Sequence, residues 1–119
     1  MTYRDYDPKR DLKAVQRIWK ECGWVEDDDE AAIIEDFFAE GDTVVATIDD
    51  EPECCVHSTT GEIRYQDETL KFGGVSAVTT SHIARKTGFA KKLTASVLAN
   101  QAEQGMEVSG LGMFDQGFY

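Results

Sequence analysis

The chain has 119 residues, 41% of them hydrophobic, and a formal net charge of -11. That length holds one domain of ordinary size, and the apolar share is enough for a packed core, which argues against intrinsic disorder. Such an acidic surface repels a polyanion, so nucleic acid is excluded as a partner, and no apolar run approaches the length of a membrane span.

The N-terminal stretch MTYRDYDPKRD carries charges where a secretory signal needs its apolar segment, so the chain reads as a soluble cytoplasmic protein that does not engage a membrane. Thr2–Tyr6 is a short strand candidate. A helix follows, with Asp7 as N-cap, Pro8 at its first position and Gly23 past its end. Leu12, Val15, Trp19 and Cys22 form its apolar stripe. A second helix is expected from about Asp29 to Gly41, opened by an acidic turn that suits the helix dipole, with Ile33, Ile34, Phe37 and Phe38 as its buried side.

From Thr43 the texture changes to strands. The β-branched run TVVATI is closed by the turn residues DDEPE. CCVHSTTGEIRYQ predicts a long strand bent near Gly61, and QDE returns it into TLKFGGVSAVTT, with Ile63 and Tyr65 facing Leu70 and Phe72 across the hairpin. Neighbours on a strand point to opposite faces, so Cys54 and Cys55 are expected as one buried thiol and one surface thiol. With Cys22 they make three cysteines, an odd number without metal-ligand spacing, and no metal site is expected. Phe89, Ala90, Leu93 and Val97 share the apolar stripe of a helix ending near Gly105, and MEVSGLGMF is a final strand. The order is strand, two helices, three strands, helix, strand.

Charge is spread unevenly along this order. Residues 1–68 hold 20 of the 23 acids and 7 of the 12 bases, whereas residues 69–102 hold no acid and five bases: Lys71, Arg85, Lys86, Lys91 and Lys92. ARKTGFAKKL therefore sits where a strand ends and a helix begins, in the one cationic segment. The first amides of a helix have no intrahelical acceptor, and the helix dipole adds partial positive charge there. Gly88 has no side chain to hold a phosphate away, and Arg85 can add charge-assisted hydrogen bonds, so the segment can bind a diphosphate. Two familiar phosphate loops do not fit. A Walker loop needs Lys-Ser/Thr directly after its last glycine, where Phe89 stands. A dinucleotide fingerprint needs a glycine where GLGMFD has Asp115. Lys91 and Lys92 by themselves read as a solvated helix face.

Arg85-Lys86-Thr87-Gly88-Phe89-Ala90 resembles the R/Q-x-x-G-x-G/A motif of the GNAT superfamily of acetyl-coenzyme A dependent N-acyltransferases. GGVSAVTT looks like the fourth strand of that fold, and MEVSGLGMFDQGFY like its fifth strand leading into the next helix. The spacing of AVTTSHIARKTG and the ending Gly117-Phe118-Tyr119 look most like the enhanced-intracellular-survival branch. The resemblance implies an α+β fold, a mixed and mostly antiparallel sheet with helices on both faces. The family's fold continues past Tyr119 with the rest of a helix and two more strands, so the chain reads as one GNAT-like domain, residues 1–119, truncated after its fifth strand.

The resemblance also assigns roles. The pyrophosphate of acetyl-CoA would sit on the loop of Arg85, Lys86, Thr87, Gly88, Phe89 and Ala90, its contacts being amides of that loop. The pantetheine arm would pair with the fourth strand at about Val78 and Thr80, and an amide near Val78 or Thr79 would polarise the thioester carbonyl. An amine substrate would attack that carbonyl directly, and Tyr119 would protonate the departing thiolate, as an ordinary phenol can at neutral pH. His57 and His82 do not earn the role of base from sequence. The acceptor amine is not legible. A different class of reading is a non-catalytic module that binds coenzyme A or joins a protein complex, and a weaker one is a structural domain whose basic loop meets an acidic partner. A sheet that stops short exposes an edge, which invites pairing with another copy of the chain.

Overall fold

Asp7 is extended and accepts a hydrogen bond from the Lys9 amide at 3.0 Å, and with Pro8 in the first turn this starts helix α1, Pro8–Glu21, as the sequence predicts. The computed structural model describes residues 2–111, and of residues 28, 31 and 111 the backbone alone. Strand β1 is Thr2–Asp5. After α1 come two short helices, α2 (Asp28–Ala31) and α3 (Ile33–Ala39), then β2 (Asp42–Ile48), β3 (Glu51–Tyr65) and β4 (Glu68–Thr80). A 3₁₀ turn at His82–Ala84, helix α4 (Phe89–Glu103) and strand β5 (Val108–Leu111) complete the described order. The strands lie side by side as β1-β2-β3-β4-β5, all neighbours antiparallel except β4 and β5, which are parallel.

Two cores flank this sheet. On one face α1 and α3 bury Val15, Trp19, Ile34 and Phe38 against Val45, Cys55 and Ala77. On the other, α4 buries Phe89, Leu93 and Val97 against Ala46, Cys54, Val56 and Val75. Arg4 ties β1 to α1 through two bonds to the Asp11 carboxylate, at 2.6 and 2.8 Å, and the Asp7 amide donates to that same carboxylate at 2.9 Å. Asp11 is fully buried. Burial alone would raise its pKa, but the Arg4 hydrogen bond and the Asp7 amide outweigh it and hold the carboxyl below its usual value.

Several expectations need correction. The helix expected over 29–41 is α2 and α3, separated at Ala32. That residue keeps helical dihedrals, φ -64° and ψ -24°. Of the four residues expected on the helix's buried side, Ile34 and Phe38 are buried, whereas Ile33 is 59% exposed and Phe37 44%, because the i, i+4 row facing the core is one residue wide. Both Cys54 and Cys55 are buried, not one. Their side chains do point to opposite faces, but helices cover both. Burial pushes the thiols up to about 11 and about 12 respectively, against the opposing hydrogen bonds of Thr80 and Thr79. Cys22 is partly exposed. Alkylation of the folded protein near pH 8 is therefore expected to label Cys22 and spare the other two, which mass spectrometry of the digested protein reads directly; labelling of Cys54 or Cys55 at the rate of Cys22 would contradict the burial.

The hairpin also differs in detail. Register runs unbroken through Gly61, opposite Phe72, and the irregularity lies between Cys55 and His57. Ile63 does face Leu70, but Tyr65 faces Glu68. Beyond the helices this hairpin is an arm with two unlike faces. Ile63, Tyr65, Leu70 and Phe72 share one face, and Glu62, Arg64, Thr69 and Lys71 share the other.

Candidate functional site

Regular pairing between β3 and β4 fails near the inner end of β4. Cys55 pairs with Thr79 and His57 with Ser76, so Ala77 and Val78 together stand opposite the single residue Val56. Ala77 has φ 53°, a left-handed conformation uncommon outside glycine. The core holds it there. The Ala77 carbonyl accepts the Thr79 hydroxyl at 3.3 Å and the Cys55 thiol at 3.7 Å, and that thiol meets Thr79 Oγ1 at 3.0 Å. The bulge shifts the alternation of the strand: Val75 faces α4, whereas Ala77, two residues on, faces α1.

The other edge of β4 changes at the same point. Parallel pairing with β5 covers Phe72 to Val75, opposite Val108 to Leu111. From Ser76 to Thr80, among the described residues, β4 pairs with β3 alone. Val78, Thr79 and Thr80 thus lie on a stretch with an unpaired edge. Thr79 is buried, while Val78 and Thr80 are partly exposed. Thr80 is steadied by the cysteines, its carbonyl accepting from Cys22 at 3.4 Å and its hydroxyl meeting Cys54 Sγ at 3.4 Å.

The segment that follows is not strand. Ser81 and Ala84 are buried, and Arg85, Lys86, Thr87 and Gly88 are exposed. Thr87 folds back on the turn, its hydroxyl donating to the Ala84 carbonyl at 2.5 Å, and the Phe89 amide donates to that hydroxyl at 3.4 Å. Lys86 (φ 65°) and Gly88 (φ 85°) both adopt left-handed backbone. Gly88 occupies the N-cap position of α4 without any side-chain cap, and the first helical bond runs from the Lys92 amide to the Gly88 carbonyl at 3.0 Å. The amides of the first turn, Ala90 among them, accordingly precede the helical ladder and point out of its end. A Cβ built on Gly88 meets nothing within 4 Å, so the space before these amides is open. Phe89 is the loop's anchor, buried in the α4 core, with Ala90 partly buried beside it. Arg85 and Lys86 in the loop, and Lys91 and Lys92 in the first turn of α4, are all exposed. An uncapped helix start inside a cationic loop can accept an anion with several oxygens.

The loop is also held from behind. Glu21 at the end of α1 accepts the His82 amide at 3.0 Å and the Arg17 guanidinium at 3.2 Å. Burial would raise the Glu21 carboxyl, but the His82 amide and then Arg17 outweigh it, and it lies below its usual value. Sequence reading missed both this contact and the Ala77 bulge. An i, i+4 Arg-Glu pair signals only a helix surface, and nothing in GGVSAVTT marks an alanine for positive φ. His57 is a core group: Thr43 Oγ1 lies 2.7 Å from Nδ1, Nε2 donates to the Glu40 carbonyl at 2.9 Å, and Phe38 stacks on the ring. Burial lowers its pKa. Tyr119 lies outside the described residues, as does the end of the predicted final strand. Among the described residues no cluster of His, Cys, Asp or Glu could hold a metal ion, and no helix is long and apolar enough to cross a membrane.

Residues 2–119 match the sequence profile of the acetyltransferase (GNAT) domain, and the chain belongs to that family. No curated protein matches it by sequence. Solved structures share its fold. A conserved protein of unknown function from Enterococcus faecalis V583 superposes with a TM-score of 0.85 at 16% identity over 99% of this chain, which spans 30% of that protein's length. An acetyltransferase of Trypanosoma brucei gives 0.74 at 15% identity, covering 98% of this chain and 84% of that one. AAC(6')-Iy, solved with the bisubstrate analogue CoA-S-monomethyl-acetylneamine, gives 0.75 at 13% identity, covering 97% and 80%. At these identities the likeness is one of fold: the GNAT acyltransferase fold, α+β, with a five-stranded mixed sheet.

Proposed function

We propose that the chain carries the acetyl-CoA site of an N-acetyltransferase. One feature supports this most: the unpaired edge of β4 from Ser76 to Thr80 leads directly into a cationic loop that ends at an uncapped helix start. An extended arm that ends in a diphosphate has that shape and that charge. In this reading the amides of Arg85, Lys86, Thr87, Gly88 and Ala90 bind the pyrophosphate, with Phe89 anchoring the turn. Val78 and Thr80 pair with the pantetheine arm. The Val78 or Thr79 amide donates to the thioester oxygen as negative charge develops on it. The neutral amine nitrogen attacks the carbonyl carbon, the C–S bond breaks, Tyr119 gives its proton to the sulfur, and the proton that the nitrogen sheds returns through solvent to the Tyr119 phenolate. Acetyl-CoA is the acyl donor and no metal takes part.

Narrower placements rest on sequence alone. The enhanced-intracellular-survival branch is supported by the spacing AVTTSHIARKTG and the final Gly-Phe-Tyr, and the cytoplasm by the charged N-terminus. The acceptor is an amine of undefined structure.

Two measurements test the proposal. Acetyl-CoA at a hundred times its Kd should stabilise the protein by about 2.7 kcal/mol, seen as a rise in Tm; no shift at millimolar ligand would remove the acyl-CoA site. In a protein that turns over, Tyr119→Phe keeps the ring and removes the hydroxyl, so kcat should fall by roughly 10²- to 10⁴-fold while coenzyme affinity holds. Full kcat with chemistry rate-limiting would take Tyr119 out of the mechanism. Acetyl-CoA binding without turnover on any amine would favour the non-catalytic module.

A further inference from the structure

We infer that Glu21 is a positioning residue for the acyl-donor loop, holding the entry to that loop in register with α1. The inference rests on the acyl-CoA reading for its functional meaning, but not for its structural content. The loop between β4 and α4 has little apolar anchorage of its own. Of residues 82–88 only Ala84 is buried, and Ile83 is 71% exposed. Two of its residues, Lys86 and Gly88, hold left-handed backbone. Such a segment keeps one conformation only through its hydrogen bonds.

Those bonds form a chain. The buried Glu53 carboxylate receives Arg17 Nη2 at 3.0 Å, and the Glu53 carbonyl receives the Ser81 amide at 2.8 Å. Arg17 also reaches Glu21 Oε1, and Glu21 Oε2 takes the His82 amide. From there the 3₁₀ turn passes to Ala84, whose carbonyl takes Thr87, whose hydroxyl in turn takes the Phe89 amide at the start of α4. Glu21 is the member that crosses from α1 to the loop, with one oxygen on each. Arg17 neutralises buried Glu53, so changing it risks the fold. Glu21 is partly exposed, and its removal leaves no buried charge unpaired.

The test compares wild type, Glu21→Ala and Glu21→Gln. It uses amide hydrogen exchange resolved by NMR, Tm, and calorimetric titration with coenzyme A itself. In Glu21→Ala the bonded amides of the loop, His82, Ala84 and Thr87, should exchange faster, and coenzyme A affinity should fall roughly tenfold, the scale of one charge-assisted hydrogen bond. Exchange in the strands should not change. Glu21→Gln keeps an oxygen for the His82 amide and should recover most of both losses. Wild-type exchange at His82, Ala84 and Thr87 in Glu21→Ala overturns the inference. So does a fall in Tm with unchanged coenzyme A affinity, which marks a purely structural contact. If wild type itself binds no coenzyme A, the acyl-CoA reading fails, and the exchange data alone decide whether Glu21 orders the loop.

Discussion

Gly88→Glu should abolish coenzyme A binding and leave the protein folded. Gly88 sits at φ 85° with open space around its missing Cβ, so a side chain there meets no neighbour and costs the left-handed backbone alone, on the order of 1–2 kcal/mol. Part of that cost is offset, because a carboxylate at a helix N-terminus contributes about 0.3–1 kcal/mol. The same offset is what defeats the ligand: the new carboxylate occupies the anion position from within the chain, and it repels a diphosphate. Arg85→Ala removes one charged donor and keeps the amides, so affinity should drop by roughly one to two decades. Calorimetry checks both. Equal affinities for wild type and a folded Gly88→Glu protein would end the assignment of this loop.

The largest stability effect is expected from Arg4→Ala. Asp11 has no exposed surface, and among the described residues Arg4 is the cation bonded to it. Removing the guanidinium leaves a buried carboxylate with one backbone donor, at a cost of about 3 kcal/mol, out of a total that is typically about 5–15 kcal/mol. The pH dependence gives the mechanism its signature. In wild type the depressed Asp11 pKa contributes stability that is complete above the unfolded value of about 4 and is lost as pH falls through the folded value. Without Arg4, burial raises that pKa instead, so the protonated form becomes the comfortable one. The deficit of the variant should therefore be widest at neutral pH and narrow toward pH 4, as urea unfolding at several pH values would show. A deficit independent of pH would mean that lost packing, not the buried charge, is responsible.

Much of the fold was legible because its signals are local. Asp7-Pro8 marks a helix start through capping chemistry that acts over three residues. The acid-free, net cationic stretch from 69 to 102 marks the strand-to-helix junction without reference to any distant part of the chain. What escaped depends on neighbours distant in sequence. Burial of both Cys54 and Cys55 requires knowing that α1 covers one face of the sheet and α4, which begins only at Phe89, covers the other. The Ala77 bulge is imposed by Thr79 and Cys55, not by alanine, which has no preference for that backbone. Glu21 and His82 are 61 residues apart and meet only once the sheet has brought the end of β4 beside the end of α1.

The arm formed by the outer ends of β3 and β4 gives the molecule more than one level of local stability. A two-stranded ribbon is marginal in water, and from Gly61 to Thr69 every residue of this one is exposed. The sheet segment nearer the helices is fastened by side chains from both cores, whereas the arm is fastened mainly by its own ladder. Opening therefore starts at the Gln66-Asp67 turn and runs inward as a fraying zipper, and it stops where Phe72 meets β5 through its pairing with Val108. The bulge, the unpaired edge and the cationic loop all lie on the inner side of that boundary, so the outer hairpin can open and close without the site losing its shape.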